Sequence, residues 1–275
     1  MGGRGMRTLR RVLVTLLWTA IALVYLFPYT WMVLTGFRAP IDTLTLPPKF
    51  IFSPTLDGFY YIFANTGFQN YLVNSIIVTA SATTLIVAAA APAAYALAHL
   101  GTRRRAFLLA ILVTRMVPGV AVVIPFYLVA SKLGQLDTYH ILIIIFTAFN
   151  LPFAIWLLRS FFREITSELR EAAIIDGCSE LGVFARIMLP LAMGGVVATG
   201  VFVFIAAWNE FLFALVLTNS RAATAPLAIL GFRTEYGTQW GAIGAAALLI
   251  STPVIVFAIF MQKYLVRGLT MGSIR

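Results

Sequence analysis

A chain of 275 residues that is 61% apolar and only 11% charged, with a mean hydropathy of +0.94, has too few charged groups to coat a water-soluble domain of its size. Its net charge of +10 does not mark a nucleic-acid binder, because the basic residues sit in short clusters between apolar runs, where Lys and Arg fix membrane topology. Cys178 is the only cysteine, which excludes an intrachain disulfide or a cysteine metal site.

The N-terminus opens like a secretion signal, with Arg4, Arg7, Arg10 and Arg11 ahead of an apolar run. That run lasts from Val12 to about Leu34. It exceeds the 7–15 apolar residues or so of a signal core and reaches the roughly 20 needed to cross a bilayer. No small-residue cleavage site follows it closely, so a retained helix is expected. The segment from Arg38 to Asn70 carries Pro47, Pro48 and Pro54 and reads as an ordered outer cap.

Five further runs of spanning length follow, at Tyr71–Leu97, Ala106–Ala130, Tyr139–Leu158, Ala192–Leu217 and Gly241–Val266. Backbone amides in hydrocarbon must be satisfied within their own segment, so all six are expected to be helices. Pro28, Pro92, Pro118 with Gly119, Pro125, Pro152 and Pro253 predict kinks, which in transporters also mark backbone lining a cavity. The expected fold is an all-α integral membrane domain of six transmembrane helices over residues 1–275, with its core at 70–266. With the N-terminus inside, fourteen basic residues fall on the inner side and five on the outer, while Arg115 lies within the third helix. Both termini are therefore expected in the cytoplasm. The inner loop at 159–191 is the most polar stretch, and an outer loop at 219–240 joins the last two helices. No low-complexity segment or convincing repeat interrupts this plan.

The inner loop reads Glu171-Ala172-Ala173-Ile174-Ile175-Asp176-Gly177, then nine residues, then Ile187-Met188-Leu189-Pro190. Glu168 and Glu171 sit in the opening turns of a short helix, where carboxylates favour the positive end of the dipole. Gly177 can take a positive φ and end that helix, and Ser179 can cap a second one running through Ala185. Two short helices joined by a glycine elbow can dock into a groove on another protein, although such a hairpin can also be an ordinary solvated surface.

These identities at these spacings match the pattern E-A-A-x(3)-G-x(9)-I-x-L-P, and the chain resembles the permease subunits of ABC importers that carry this EAA motif. The segment Ala206-Ala207-Trp208-Asn209-Glu210-Phe211, the ending Gln262-Lys263-Tyr264-Leu265-Val266-Arg267-Gly268-Leu269-Thr270-Met271-Gly272, and Arg115-Met116-Val117-Pro118-Gly119 with Ile124-Pro125 resemble the carbohydrate subfamily related to the maltose permease. Cys178, where alanine is commoner, and Thr166, where proline often stands, are small departures.

The resemblance implies a MetI-like permease core in the bacterial inner membrane. A second homologous permease would complete the pore, two ATPase subunits would bind beneath, and an extracytoplasmic binding protein would deliver the sugar. It implies that Glu171, Ala172, Ala173, Asp176, Gly177, Leu189 and Pro190 couple to the ATPase. It also implies that the tail, at Leu269, Thr270 and Gly272, reaches between the ATPase subunits. Gly268, Gly272 and the short ending from Leu269 to Arg275 look too flexible to form a helix of their own. The outer loop around Thr224 to Tyr236 would enter the binding protein.

No G-x-x-x-x-G-K-[ST] loop occurs, so ATP and Mg are expected in a partner and no cofactor in this chain. His99 and His140 lie far apart near helix ends and read as interfacial residues; no metal site or nucleophile–base pair stands out, so no catalytic residue is expected. Arg115 and Glu210 are ionisable at membrane depth, where facing lipid would be costly. With Asn150, Trp208 and Asn209 they are candidates for the substrate pathway; the alternative is that Arg115 and Glu210 only hold helices together. A polyol, glycerol-phosphate or amino-sugar importer would use a similar chain. A secondary transporter would be expected to show more membrane carboxylates than Glu210 alone.

Overall fold

The computed structural model describes residues 2–100, 113–114, 116–234 and 237–270, and it is almost entirely helical. In chain order the helices are α1 (Gly2–Gly36), α2 (Pro40–Thr43), α3 (Asp57–Asn65), α4 (Phe68–His99), α5 (Gly119–Lys132), α6 (Tyr139–Glu164) and α7 (Ser167–Ile175). Then come α8 (Glu180–Val183), a π-helical turn (Phe184–Met188), α9 (Leu189–Leu191), α10 (Met193–Trp208), α11 (Leu212–Leu217), α12 (Ala225–Ala228) and α13 (Trp240–Thr270). The one strand pair among the described residues is a short antiparallel ribbon, β1 (Arg233–Thr234) with β2 (Gly237–Thr238).

Four stretches among the described residues are long and apolar enough to cross a membrane: Leu9–Gly36, Phe68–His99, Tyr139–Glu164 and Trp240–Ile259. Pro28, Pro92, Pro152 and Pro253 lie inside these helices, which continue past each of them. The third and fifth expected spans are not continuous. Between Met116 and Pro118 the chain leaves the helix, because Pro118 holds an extended backbone (φ −66°, ψ 134°) and α5 starts at Gly119. Most of the third span's first half lies outside the described residues. The fifth span breaks at Asn209–Phe211, where the Glu210 carboxylate accepts the Phe213 N–H at 3.2 Å and so caps the start of α11.

The residues group into two compact units: one runs to Phe68 and adds Ile229–Ser251, the other holds Gln69–Ala228 and the chain from Thr252. In the first, glycine allows backbones to touch. A Cβ at Gly244 of α13 would lie 2.5 Å from the Gly36 nitrogen at the end of α1. In the second, α4 buries Val78, Ala82, Ile86, Ala90, Ala94 and Ala98, a stripe with a step of four that keeps one helix face inward. That stripe shares a core with Leu142, Ile145, Phe146, Ala154, Leu158 and Phe162 of α6. Helix α10 packs along α6, and α11 against α5 and α6.

The ending departs from expectation. Helix α13 runs on through Gly268 to Leu269 and Thr270. Extending a formed helix needs no new nucleus, so the modest penalty of a single glycine does not stop it. Gly272 lies outside the described residues.

Candidate functional site

The hairpin from Ile165 to Leu191 is built by local rules. Helix α7 has Glu168 in its first turn, at the positive end of its dipole. It closes on Gly177, whose φ of +88° an L side chain would resist. The Gly177 N–H donates to the Ile174 carbonyl at 3.0 Å and the Cys178 N–H to the Ala173 carbonyl at 2.9 Å. This pair of bonds is the Schellman closure of a helix end. Two residues on, the Ser179 hydroxyl accepts the Gly182 N–H at 3.2 Å and starts α8. Pro190 has no N–H to give the preceding turn, and the chain there widens into the π-helical turn before α9. Helix axes then bend by 76° between Glu180–Leu191 and α10.

Three side chains fix the hairpin to the rest of its unit. Arg170 of α7 and Glu180 of α8 form an ion pair across the elbow, with Arg170 Nε donating to Glu180 Oε2 at 3.3 Å. Tyr95 of α4 donates its hydroxyl to the same Oε2 at 2.9 Å. Hydrogen bonding from Arg170, with help from Tyr95, holds the Glu180 carboxyl below the usual glutamate range. The Tyr95 ring packs against His99, Phe162 and Phe184, with centroids 5.4, 5.8 and 5.3 Å away. His99 Nε2 is 2.9 Å from the Phe162 carbonyl, and Arg159 Nε donates to the Leu97 carbonyl at 3.3 Å. The Leu97–His99 end of α4 and the Arg159–Phe162 stretch of α6 are thus laced together beside the hairpin.

The elbow faces outward. Glu171, Ala172, Asp176 and Gly177 are exposed, while Ala173 is buried beneath them. Two large apolar side chains flank the glycine in the open, Ile175 at 85% exposure and Leu181 at 76%. Leu189 is half-buried and Pro190 exposed at the far end of the hairpin. A hairpin that only met water would gain nothing from this pair; a hairpin that inserts into a groove would.

Of the candidate pathway residues, Arg115 lies outside the described residues. Trp208, Asn209 and Glu210 come together at the break between α10 and α11. Trp208 is buried and stacks on Phe204 at 5.7 Å between centroids. Asn209 is exposed with its amide donating to the Ile205 carbonyl at 2.8 Å, and Glu210 caps α11. Asn150 is buried in α6 and donates to the Phe146 carbonyl of its own helix at 2.9 Å.

A second ordered site lies on the loop after α11. The Asp137 carboxylate accepts the N–H groups of Asn219, Ser220, Arg221 and Ala222 at 3.0–3.2 Å. Burial alone would raise its pKa, but these four donors lower it to about 2. Asn74 donates to the Arg221 and Ala223 carbonyls at 3.0 and 2.9 Å and accepts the Tyr139 hydroxyl at 2.8 Å. Ser75 accepts the Ala225 N–H at 2.8 Å. Sequence reasoning did not single out Tyr95, Arg170, Glu180, Asn74, Asp137 or Tyr139. Asp137 carried one weak signal, an acidic residue beside Gly134 in a short link between apolar runs.

Residues 86–271 match the family model described as "Binding-protein-dependent transport system inner membrane component". The chain is 63% identical over 269 residues to a probable ABC transporter permease protein, y4oR, of Sinorhizobium fredii, covering 98% of this chain and 97% of the relative. It is 34% identical over 272 residues to the trehalose/maltose transport system permease protein MalG of Thermococcus litoralis, covering 97% and 98%. Its fold is similar to a chain in the crystal structure of a bacterial ABC transporter involved in the import of the acidic polysaccharide alginate, with a TM-score of 0.80 at 23% identity over 96% of this chain and 99% of that one.

Proposed function

Because the chain belongs to the family of binding-protein-dependent transport system inner membrane components, we propose that it forms half of the translocation pathway of an ATP-driven carbohydrate importer. It sits in a bacterial inner membrane with six spans and both termini in the cytoplasm. A second permease completes the pore, two ATPase subunits bind the inner face, and an external binding protein delivers the sugar. A carbohydrate is supported by the naming of the MalG relative for trehalose and maltose, and by the Trp208–Phe211 segment and the Gln262–Gly272 ending. A polyol, glycerol-phosphate or amino-sugar remains the neighbouring choice of cargo.

The observation that carries the proposal is the exposed apolar pair at the glycine elbow, Ile175 and Leu181, set within the Glu171–Gly177 motif. On this reading the elbow enters a groove of the ATPase, and Glu171 pairs with a basic residue there. Movement of the ATPase then reaches α4 through the Arg170–Glu180–Tyr95 contacts. Leu269 and Thr270, in the last turn of α13, and with them Gly272, meet the ATPase dimer. Arg115, Asn150, Trp208, Asn209 and Glu210 line or brace the sugar path; capping by Glu210 and the own-helix bond of Asn150 support a bracing share.

The test is sugar uptake by cells carrying the Glu171→Lys, Gly177→Pro double variant with all partner subunits present. The variant chain is expected in the membrane at normal level with uptake lost and ATP hydrolysis uncoupled. Normal uptake would refute docking through this elbow.

A further inference from the structure

The segment 40–56, which links α1 to α3, is built the wrong way round for a loop in water. Six of its large apolar side chains are exposed: Ile41, Leu44, Leu46, Phe50, Ile51 and Leu56. Ile51 is 95% exposed and Leu46 91%, more open than the pair at the elbow. Its polar side chains bond within the segment instead. Asp42 and Lys49, its only charged residues, pair at 2.7 Å. The Thr43 and Thr45 hydroxyls donate to the Pro40 and Asp42 carbonyls at 2.7 and 3.1 Å. A surface that satisfies its own polar groups and presents apolar ones suits hydrocarbon rather than water.

The segment also folds back along α1. The Thr55 N–H donates to the Phe37 carbonyl at 2.8 Å, tying its far end to the end of that helix. Phe50 meets Trp31 edge-on with centroids 5.7 Å apart, and Trp31 in turn lies 6.0 Å from Phe27. These contacts make the apolar surface of the segment continuous with that of the Leu9–Gly36 stretch. That stretch has 28 residues. Its helix is about 42 Å long, against about 30 Å of hydrocarbon, so a centred span reaches into the interface at both ends. Trp31 lies about 8 Å along the helix from Gly36, at the level where tryptophan rings gather between hydrocarbon and headgroups. Contact with Trp31 places Phe50 at the same level.

We propose that the 40–56 segment lies in the bilayer interface, with Leu46, Phe50 and Ile51 sunk among acyl chains beside the end of α1. Lys49, half open, can reach the headgroups on its apolar stem. A surface for a soluble partner that must let go would keep an ordinary share of polar groups, which this one lacks. The inference goes beyond the import reading, which gives the segment no role, and rests on α1 crossing the membrane.

The experiment attaches a nitroxide to Leu46→Cys or Ile51→Cys, each in a Cys178→Ala chain. The importer is purified with its partner subunits through a tag on this chain and placed in phosphatidylethanolamine–phosphatidylglycerol nanodiscs. Signal from the same assembly without an added cysteine is subtracted. Collision rates are read with oxygen, which concentrates in hydrocarbon, and with a neutral nickel chelate, which stays in water. Tyr25→Cys, an 80% exposed position within α1, is the lipid reference, and the free label in buffer is the water reference. Both cap positions are expected to give an oxygen-to-nickel ratio at least threefold above the free label. A lipid reading at Tyr25 with water-like ratios at Leu46 and Ile51 would overturn the proposal and leave the span intact. Collisions with neither reagent at the two cap positions would replace lipid with a protein partner. A water-like ratio at Tyr25 would refute the span itself, and this inference with it.

Discussion

Two loops of the same compact unit are each held by a single carboxylate, and they are held in opposite ways. Asp137 grips the segment at 219–222 entirely through backbone N–H groups. Glu180 grips the elbow hairpin entirely through side chains, Arg170 and Tyr95. Backbone donors are fixed in space once the loop has formed, so the Asp137 clamp sets one shape and tolerates any side chains on the loop. A side-chain clamp can let go and re-form without unfolding the backbone. Its partners also come from different helices, α7 and α4, so its bonds transmit position between them. The first arrangement suits a platform and the second a joint, which is the difference expected between a loop that presents a surface and one that follows a moving partner.

The sharpest way to break this comparison is to weaken the platform. Asp137 has a φ of 58°, a left-handed conformation that asparagine also tolerates, so Asp137→Asn leaves the backbone free to keep its shape. It removes the charge and replaces one acceptor oxygen by a donor that meets N–H groups. A loss of about 2 kcal/mol in unfolding stability is expected, with faster proteolysis at Arg221. The pH dependence has a definite sign. The folded-state pKa is lowered to about 2 from an ordinary 3.8, so the contribution is present above about pH 4 and disappears as pH falls toward 2. Wild type and variant should therefore differ at neutral pH and converge in acid. A constant gap across that range would mean the carboxylate charge is not what holds the loop.

A smaller effect is expected at the joint. Tyr95→Phe removes one hydrogen bond to a charged acceptor and keeps the ring among His99, Phe162 and Phe184. About 1 kcal/mol of stability should be lost, because Arg170 still holds an exposed carboxylate that water can reach. Hydrogen exchange should speed up across Ser167–Val183 while the loop at 219–222 stays protected. If both loops loosened together, the two clamps would be parts of one rigid body and the contrast drawn above would fall.

The elbow was legible in the sequence because its cause is local. A glycine that must take a positive φ, a serine two residues later and the fixed spacing to Leu189 and Pro190 all lie within one short stretch. The spans were legible as apolar runs, but their breaks were not. Pro118 with Gly119 read as a kink and is a true interruption, while Asn209-Glu210 contains no helix breaker at all. There the cause is a side chain, since the Glu210 carboxylate takes the Phe213 N–H that would otherwise continue the ladder. Both clamps escaped notice because their partners lie far apart along the chain. Asp137 meets residues 219–222, Tyr95 meets Glu180, and no periodicity links such positions.

The smallest expected effect separates what shapes the joint from what holds it. Ser179 contributes only its hydroxyl, which accepts the Gly182 N–H at 3.2 Å on an exposed surface. Ser179→Ala deletes that cap and should cost about 0.5–1 kcal/mol, whereas Ser179→Gly should cost only a few tenths, because glycine is itself tolerated at an N-cap. The Arg170–Glu180 pair spans the same elbow and does not depend on the cap, so it should survive both changes. Exchange should then rise only at the start of α8, around Gly182 and Val183, with the α7 amides unaffected. Faster exchange through α7 in the alanine variant would show that the cap, rather than the ion pair, keeps the two short helices together. The joint would then be a local turn with no dependable link to α4, and Tyr95→Phe would be expected to leave the hairpin unchanged.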